Sequence, residues 1–99
     1  MERWQGRVAL VTGASAGIGA AISEALVTVG MKVIGCARSL DKLQAMVDKL
    51  TKEKGSFHPV KCDLRKEEEI LAMFKHIKEE HGGVDVCINN AGVGHNAPS

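Results

Sequence analysis

The feature that most constrains this chain is a regular alternation of short apolar runs with longer segments whose apolar residues recur at helical spacing. The apolar runs occupy positions 8–11, 32–37, 57–62 and 84–88. Runs of this length without polar alternation are typical of parallel strands that are covered on both faces. The order β-α-β-α-β-α-β therefore predicts an α/β fold, with right-handed crossovers that place helices on both faces of one parallel sheet.

The three segments between the runs are predicted to be helices. Their apolar positions are Ile18, Ile22, Ala25, Leu26 and Val29 in the first, Leu40, Leu43, Val47 and Leu50 in the second, and Ile70, Leu71, Phe74 and Ile77 in the third. Gly30, Gly55 and the pair Gly82-Gly83 are expected to end them. The charged run 65–69 is expected to form the solvated first turn of the third helix, where acidic residues favour the helix dipole.

Composition excludes several classes of protein. The 99 residues are 44% hydrophobic and 25% charged, with a formal net charge of +1, as in an ordinary globular domain. This charge gives no reason to expect nucleic acid or an anionic membrane as a partner. The polar start and the lack of a membrane-length apolar segment favour a cytoplasmic location.

The three cysteines, Cys36, Cys62 and Cys87, are widely spaced and form no C-x-x-C motif. The four histidines make no ligand-like spacing with them, so we expect no metal site. Buried, reduced thiols on strands are the simpler interpretation, and they favour a reducing compartment.

The most informative motif is the turn that follows the first apolar run. Gly13, Gly17 and Gly19 are arranged as G-x-x-x-G-x-G between a strand and an amphipathic helix. A helix N-terminus offers unpaired N–H groups to a pyrophosphate, and glycines allow close approach of phosphate and ribose. The spacing departs from the general G-x-G-x-x-G fingerprint, and a plain strand-to-helix turn is the alternative. Its position favours a dinucleotide site.

Two motifs together resemble the short-chain dehydrogenase/reductase family. The sequence 12–19 (TGASAGIG) follows the first strand, and 89–92 (NNAG) follows the fourth. The resemblance extends from Arg7 to Gly92. Within the family, the segments 1–4 and 86–92 are similar to those of vertebrate NADP-dependent carbonyl and ketosteroid reductases. It implies a Rossmann-type doubly wound parallel sheet, here with four strands in the order 3-2-1-4 and three helices, and an oxidoreductase acting on ketones or alcohols.

The resemblance also implies which residues bind the cofactor. The phosphate and ribose wall would be formed by the turn Gly13, Ala14, Ser15, Ala16, Gly17, Ile18 and Gly19. Thr12 would help to fix this turn. Asp63 and Leu64 would hold the adenine amino group, although Asp63 could instead be, or also be, a helix N-cap. Asn90, Ala91 and Gly92 would lie against the adenosine ribose.

Cofactor choice depends on the end of the second strand. Members that use NAD usually place an acid there to bind the ribose 2′-OH, whereas this chain has Ala37 followed by Arg38 and Ser39. Arg38 can offer donors and a permanent charge to a 2′-phosphate, and Ser39 can add a hydroxyl, which favours NADP(H). The alternative is a surface arginine beside a helix N-cap serine. Ala16 stands where members that use NADP often carry a basic residue, so the preference depends mainly on Arg38.

The family's catalytic serine and Tyr-x-x-x-Lys pair are not found among these residues, because the sequence has no tyrosine and its serines lie elsewhere. We therefore expect residues 1–99 to be the cofactor-binding half of one domain, with no catalytic residue and no activity alone. A small carbonyl or alcohol substrate and a homo-oligomer are expected for the full-length form. The alternatives are an inactive isoform acting as a nucleotide-binding or interaction module, and a different Rossmann enzyme such as a methyltransferase, which the joint motif disfavours.

Overall fold

A four-stranded parallel sheet organises the computed structural model, which describes residues 6–14 and 17–89. The elements are β1 (Val8–Thr12), α1 (Gly17–Thr28), β2 (Lys32–Ala37), α2 (Leu40–Lys49), β3 (Ser56–Lys61), α3 (Glu67–His81) and β4 (Val86–Asn89). All pairings are parallel, and the strand order is β3-β2-β1-β4. The predicted Rossmann-type α/β fold and its strand order are confirmed.

The sheet buries side chains on both faces because neighbouring residues of a strand point to opposite sides. The face covered by α1 and α2 contains Ala9, Val11, Val27, Val33, Leu43 and Phe57. The face covered by α3 contains Val8, Leu10, Ile34, Cys36, Met73 and Ile77. This two-sided burial explains why the strands are continuously apolar in the sequence.

The buried face of α1 differs from the one that its large apolar residues indicate. The fully packed positions are Gly19, Ser23 and Val27, and the Ser23 hydroxyl donates to the Gly19 carbonyl oxygen at 2.8 Å. Ile18 is 62% exposed, and Ala25 is also exposed. Small side chains at the contact let the helix approach the sheet closely, while larger residues pack along its flanks.

Some other apolar helix positions are also outside the core. Leu40 on α2, expected on the core face, is exposed, and Leu71 and Phe74 on α3 are exposed as well. Leu43, Leu50 and Ile77 are buried as expected. Helical spacing therefore identified the elements better than it identified each buried side chain.

Glycine ends α1 and α3 as predicted. After α1, the Gly30 N–H donates to the Val27 carbonyl and the Met31 N–H donates to the Leu26 carbonyl, which is the Schellman arrangement with glycine at C′. Gly82 follows α3 in the left-handed region, with φ 78°. The positive φ of both glycines explains why the chain has no side chain there.

Gly55 does not end α2, contrary to the sequence-based prediction. The helix ends at Lys49, with Leu50 as its C-cap. Gly55 instead lies against the end of α1, where its N–H donates to the Val27 carbonyl at 2.9 Å. A Cβ at position 55 would lie 2.1 Å from the Met31 carbonyl oxygen, so the close backbone approach requires glycine.

The strands shift slightly from their predicted limits. β1 extends to Thr12, β3 runs one residue earlier than 57–62, and β4 begins at Val86 instead of position 84. At the start of β4, the Asp85 N–H donates to the Val8 carbonyl at 2.8 Å, and the Asp85 carboxylate accepts from the Val8 N–H at 2.8 Å. The Asp85 carboxylate therefore accepts the hydrogen bond from the Val8 N–H that a backbone carbonyl would accept in a continuous β-ladder.

The cysteines are free thiols in two environments. Cys36 on β2 and Cys62 just after β3 are buried, as predicted, but Cys87 on β4 is exposed. Within 6–14 and 17–89, no cluster of three or more His, Cys, Asp or Glu residues is arranged to hold a metal ion. In the same ranges, no helix combines the length and apolar character needed to cross a membrane.

Candidate dinucleotide site

The candidate site lies at the carboxyl ends of the strands. The chain reverses its direction of winding between β1 and β4, since α1 and α2 cover one face and α3 covers the other. In open parallel sheets, ligands bind in the crevice outside the carboxyl ends at such a switch point. The predicted glycine turn follows β1 at this edge, while Arg38 and Asp63 follow β2 and β3.

Two glycines of the predicted turn lie in the left-handed region of backbone conformation. Gly13 and Gly17 have positive φ values of 63° and 50°. A Cβ added to Gly17 would meet no other atom within 4 Å, so the missing side chain leaves open space at the start of α1. Ser15 and Ala16 lie outside the described residues.

Ala14 and Gly19 support the turn from beneath. Ala14 is buried, and its N–H donates to the Cys36 carbonyl at 3.1 Å, which attaches the turn to the end of β2. Gly19 is buried against the sheet, whereas Ile18 points toward solvent at 62% exposure. Of these predicted site residues, Gly17 and Ile18 are therefore the exposed ones.

Gly35 and Phe57 are part of this support, which sequence reasoning did not include. A Cβ at Gly35 would lie 2.2 Å from the Phe57 ring and 3.1 Å from the Ala14 Cβ. The ring thus crosses β2 where a side chain is missing, directly below Ala14. Only a glycine within an otherwise apolar strand hinted at a close approach of this kind.

Thr12 joins the ends of β1 and β4. Its hydroxyl donates to the Asn89 Oδ1 at 3.0 Å and lies 3.4 Å from the Ile88 carbonyl oxygen. Thr12 was predicted to help fix the glycine turn, and its hydroxyl contacts add a link across the switch point. Asn90, Ala91 and Gly92 lie outside the described residues.

The end of β2 carries no acid. Ala37 is buried at 8% exposure, and Arg38 and Ser39 are exposed. Ser39 is the N-cap residue of α2, but its hydroxyl makes no capping hydrogen bond. The two interpretations of these residues are therefore compatible: the serine occupies the cap position, and its hydroxyl remains available to a ligand.

Asp63 lies beside Arg38, because the Cys62 N–H donates to the Ala37 carbonyl at 2.9 Å. It is not the N-cap of α3, contrary to the alternative considered above, since Lys66 has that position and the helix begins at Glu67. The charged run from 65 is therefore not all helical. Leu64 is partly buried against the core beneath α3.

The Asp63 carboxylate is held by Arg65, a residue that the sequence-based site did not contain. Its Oδ1 accepts from the Arg65 N–H at 3.0 Å and from Nε at 3.1 Å, while Oδ2 accepts from Nη2 at 3.0 Å. The hydrogen bonds from Arg65, with a smaller contribution from the charge of Arg38, lower the pKa of Asp63 to about 2. Asp63 is therefore ionised at neutral pH.

A second concavity lies at the opposite edge of the sheet. Its volume is about 490 Å³, and its lining residues are Gly6, Gly30, Lys32, Lys54, Gly55 and Ser56. Most of the lining backbone N–H groups donate to main-chain carbonyls, so they are not directed at a ligand. The carboxyl edge, with its open glycine turn, is the better candidate for a phosphate-bearing ligand.

Comparison with known proteins agrees with this geometry. A family model described as short chain dehydrogenase matches residues 7–99. Dehydrogenase/reductase SDR family member 11 of Gallus gallus is 60% identical over 100 residues, covering 99% of this chain and 39% of that protein. Farnesol dehydrogenase of Aedes aegypti is 50% identical over 94 residues, covering 94% of this chain and 38% of that protein.

The fold comparison leads to the same family. A crystal structure of a metagenomic short-chain oxidoreductase in complex with NADP superimposes with a TM-score of 0.85 and 42% identity, covering 91% of this chain and 41% of that one. The chain thus spans about two fifths of the length of these relatives. The matched family model covers nearly the whole chain, and the glycine turn and the strand order agree with it. The chain belongs to the short-chain dehydrogenase/reductase family.

Proposed function

We propose that this chain binds NADP(H) along the carboxyl edge of its sheet, as the cofactor-binding half of an oxidoreductase. The observation that carries the proposal is the open glycine turn at the start of α1, with Arg38 exposed at the end of the adjacent strand. The NADP bound in the metagenomic relative supports the choice of ligand.

The turn fits a pyrophosphate in shape and charge. The positive φ of Gly13 and Gly17 turns the chain sharply, and the free space at Gly17 lets a phosphate approach the backbone. The first turn of α1 carries no acidic residue that would repel the ligand. Its backbone N–H groups lack intrahelical acceptors and can donate to phosphate oxygens.

The preference for NADP over NAD follows from the side chains beyond β2. No carboxylate is present at Ala37 to accept from a ribose 2′-OH, and the Arg38 guanidinium can form charge-assisted hydrogen bonds with a 2′-phosphate. The neighbouring carboxylate, Asp63, is neutralised in part by Arg65. Arg38 is therefore the charged donor at this strand end that we expect to bind the phosphate.

The bound cofactor would supply hydride chemistry, and this chain's residues would bind and orient it. We propose that the full-length protein reduces ketones or oxidises alcohols, including steroids or other lipophilic carbonyls, because one relative is named for farnesol, a lipophilic alcohol. Since the sequence has no tyrosine, we propose that the 99 residues have no reductase activity alone. We further propose a cytoplasmic, homo-oligomeric full-length form, which fractionation and light scattering would test.

The second candidate function is that of an inactive nucleotide-binding module. The absence of tyrosine favours this function for residues 1–99, since the family's proton donor would have to come from outside them. Both candidates predict cofactor binding, and only the first predicts carbonyl reduction once the full-length chain is tested. NADPH oxidation by the full-length protein with a lipophilic ketone would therefore separate them.

An NMR titration of amide signals with NADPH and, separately, with NADH tests the binding proposal. We expect shifts from Gly13 to Gly19 with both, and shifts at Arg38 only with NADPH. Arg38→Ala should weaken NADPH binding about tenfold or more, as expected for a lost charged hydrogen bond, and leave NADH unchanged. Lys52→Ala removes the same charge from an exposed site beyond α2 and should have no effect. Dispersed signals that respond to neither cofactor would refute the proposal.

A further inference from the structure

The ion pair between Asp63 and Arg65 is held by more hydrogen bonds than an ordinary surface ion pair. Three hydrogen bonds of 3.0, 3.1 and 3.0 Å connect the two residues, and two of them form a bidentate guanidinium–carboxylate contact. The Asp63 side chain is only 16% exposed, whereas that of Arg65 is 76% exposed. Fork-shaped contacts of this kind fix orientation as well as charge.

The position of Asp63 is set independently of the Arg65 side chain. The Asp63 N–H donates to the Glu69 carboxylate at 3.0 Å, and its carbonyl accepts from the Lys66 N–H at 3.0 Å. The preceding residue, Cys62, joins this turn to β2, because its N–H donates to the Ala37 carbonyl. Removal of the exposed Arg65 side chain should therefore change the charge around Asp63 without unfolding the turn.

Arg38 and Arg65 share this carboxylate electrostatically. Arg65 makes the direct contacts, and Arg38 is close enough for its charge to lower the pKa of Asp63. Without Arg65, Asp63 would be an unpaired anion beside Arg38. It would then attract the Arg38 guanidinium and repel a 2′-phosphate, and both effects would disfavour a phosphorylated ribose.

We infer that Arg65 is a positioning residue for cofactor choice, which occupies the Asp63 carboxylate and so leaves Arg38 available to the 2′-phosphate of NADP(H). The inference rests on the proposed function, because it assumes that Arg38 binds that phosphate. It adds a residue that does not contact the cofactor itself and acts through its neighbour. An arginine two residues after Asp63 is the sequence feature that encodes it.

The test compares the dissociation constants of adenosine 2′,5′-bisphosphate and AMP, which differ in the 2′-phosphate alone. The ratio of the two constants for the wild-type chain defines its preference. Arg65→Ala should lower this preference about two- to fivefold at low ionic strength, the range for an exposed ion pair, and less at high salt. Lys66→Ala removes the adjacent positive charge but leaves the Asp63–Arg65 contacts, and should keep the wild-type preference.

The decisive comparison repeats Arg65→Ala in an Asp63→Asn variant, in which the carboxylate charge is already removed. If Arg65 acts by occupying the Asp63 charge, Arg65→Ala should have no further effect on the preference once that charge is removed. An equal loss in the Asp63→Asn background would show that Arg65 acts on the phosphate independently of Asp63 and overturn the inference. An unchanged preference in the single Arg65→Ala variant would overturn it as well.

The design separates this inference from the proposed function. A wild-type chain that binds both nucleotides equally would refute the proposed NADP preference, and the inference with it. A wild type that discriminates, together with an Arg65→Ala variant that discriminates equally well, would refute the inference alone. The carboxyl ¹³C titration of Asp63 is an independent readout: Arg65→Ala should raise its pKa from about 2 toward the ordinary 3.8.

Discussion

The hydroxyl of Thr12 donates to the side-chain Oδ1 of Asn89 at 3.0 Å, across the crevice between β1 and β4. Thr12 is 6% exposed and ends β1, whereas Asn89 is exposed and ends β4. This hydrogen bond links the carboxyl ends of two neighbouring strands that are far apart in sequence. It also orients the amide that directly precedes the predicted ribose-binding residues 90–92.

Replacement of Thr12 by valine should lower the free energy of unfolding by about 1 kcal/mol, because the isosteric change removes one partly buried hydrogen bond. Urea unfolding would measure the change. Thr28→Val is the matched control, since the Thr28 hydroxyl only bonds within its own exposed helix turn, and it should change stability by less than about 0.5 kcal/mol. Equal losses in the two variants would contradict the prediction.

Gly35→Ala should destabilise the chain by about 1–3 kcal/mol through overpacking. The new Cβ would lie 2.2 Å from the Phe57 ring, which must move. In a Phe57→Leu background, the additional cost should fall below about 1 kcal/mol, so a double-mutant cycle by urea unfolding would show favourable coupling. Additive effects would mean that the ring does not limit the space.

Thiol labelling should distinguish Cys87 from the other two cysteines. Cys87 is exposed, whereas burial, with a smaller contribution from Cys62, raises the pKa of Cys36 to about 12. An aromatic disulfide reagent at neutral pH should therefore react rapidly with Cys87 only, and with all three thiols in denaturant. Cys87→Ser should abolish the rapid phase, and Cys62→Ser should preserve it. Rapid reaction of a second thiol in the folded chain would contradict this prediction.

A histidine contact between β3 and α3 should make stability depend on pH. The rings of His58 and His81 have centroids 4.7 Å apart, and burial, then the charges of His81 and Lys32, lower the pKa of His58 below its ordinary 6.5. The unfolded chain then binds the proton more readily. The stability contributed by neutral His58 is therefore complete above about pH 6.5 and is lost as pH falls toward the lower native pKa.

His58→Gln should reduce the loss of unfolding free energy between about pH 7.5 and 5.5, because glutamine does not titrate in this range. The measurement is urea unfolding at each pH. His76→Gln, at an exposed position of α3, is the matched control and should keep the wild-type dependence. A His58→Gln variant with the same pH dependence as the wild type would exclude this contact as the cause.

Much of the fold could be predicted because strand and helix periods depend on local spacing. The apolar runs identified every strand within two residues, and Gly30 and Gly82 were correctly expected to end helices. Gly55 was misassigned because a glycine that stops a helix and one that admits a neighbouring carbonyl look alike in sequence. Ile18 was misleading because apolar spacing does not reveal how the small residues Gly19 and Ser23 bring α1 onto the sheet. On α3 the buried residues are Met73 and Ile77, and Leu71 lies outside this buried set.

The candidate site was predictable where it depends on one motif and not where it depends on contacts between loops. The glycine turn, Arg38 and Asp63 were found in sequence, and the structure brings their strand ends to one edge. Arg65 was interpreted as part of a solvated helical turn. Its bidentate contact could not be predicted because it depends on the chain turning back before α3 begins. The support of Ala14 by Phe57 likewise depends on pairing between β2 and β3.

The Val27 carbonyl oxygen accepts from the N–H groups of both Gly30 and Gly55, at 3.0 and 2.9 Å. One acceptor therefore connects the end of α1, the entry to β2 and the entry to β3, all at the edge remote from the glycine turn. Loops at the opposite edge do not share this acceptor. Segments such as 38–39 and 63–66 should consequently be exchangeable between relatives, which would let cofactor preference be transplanted without redesigning the sheet.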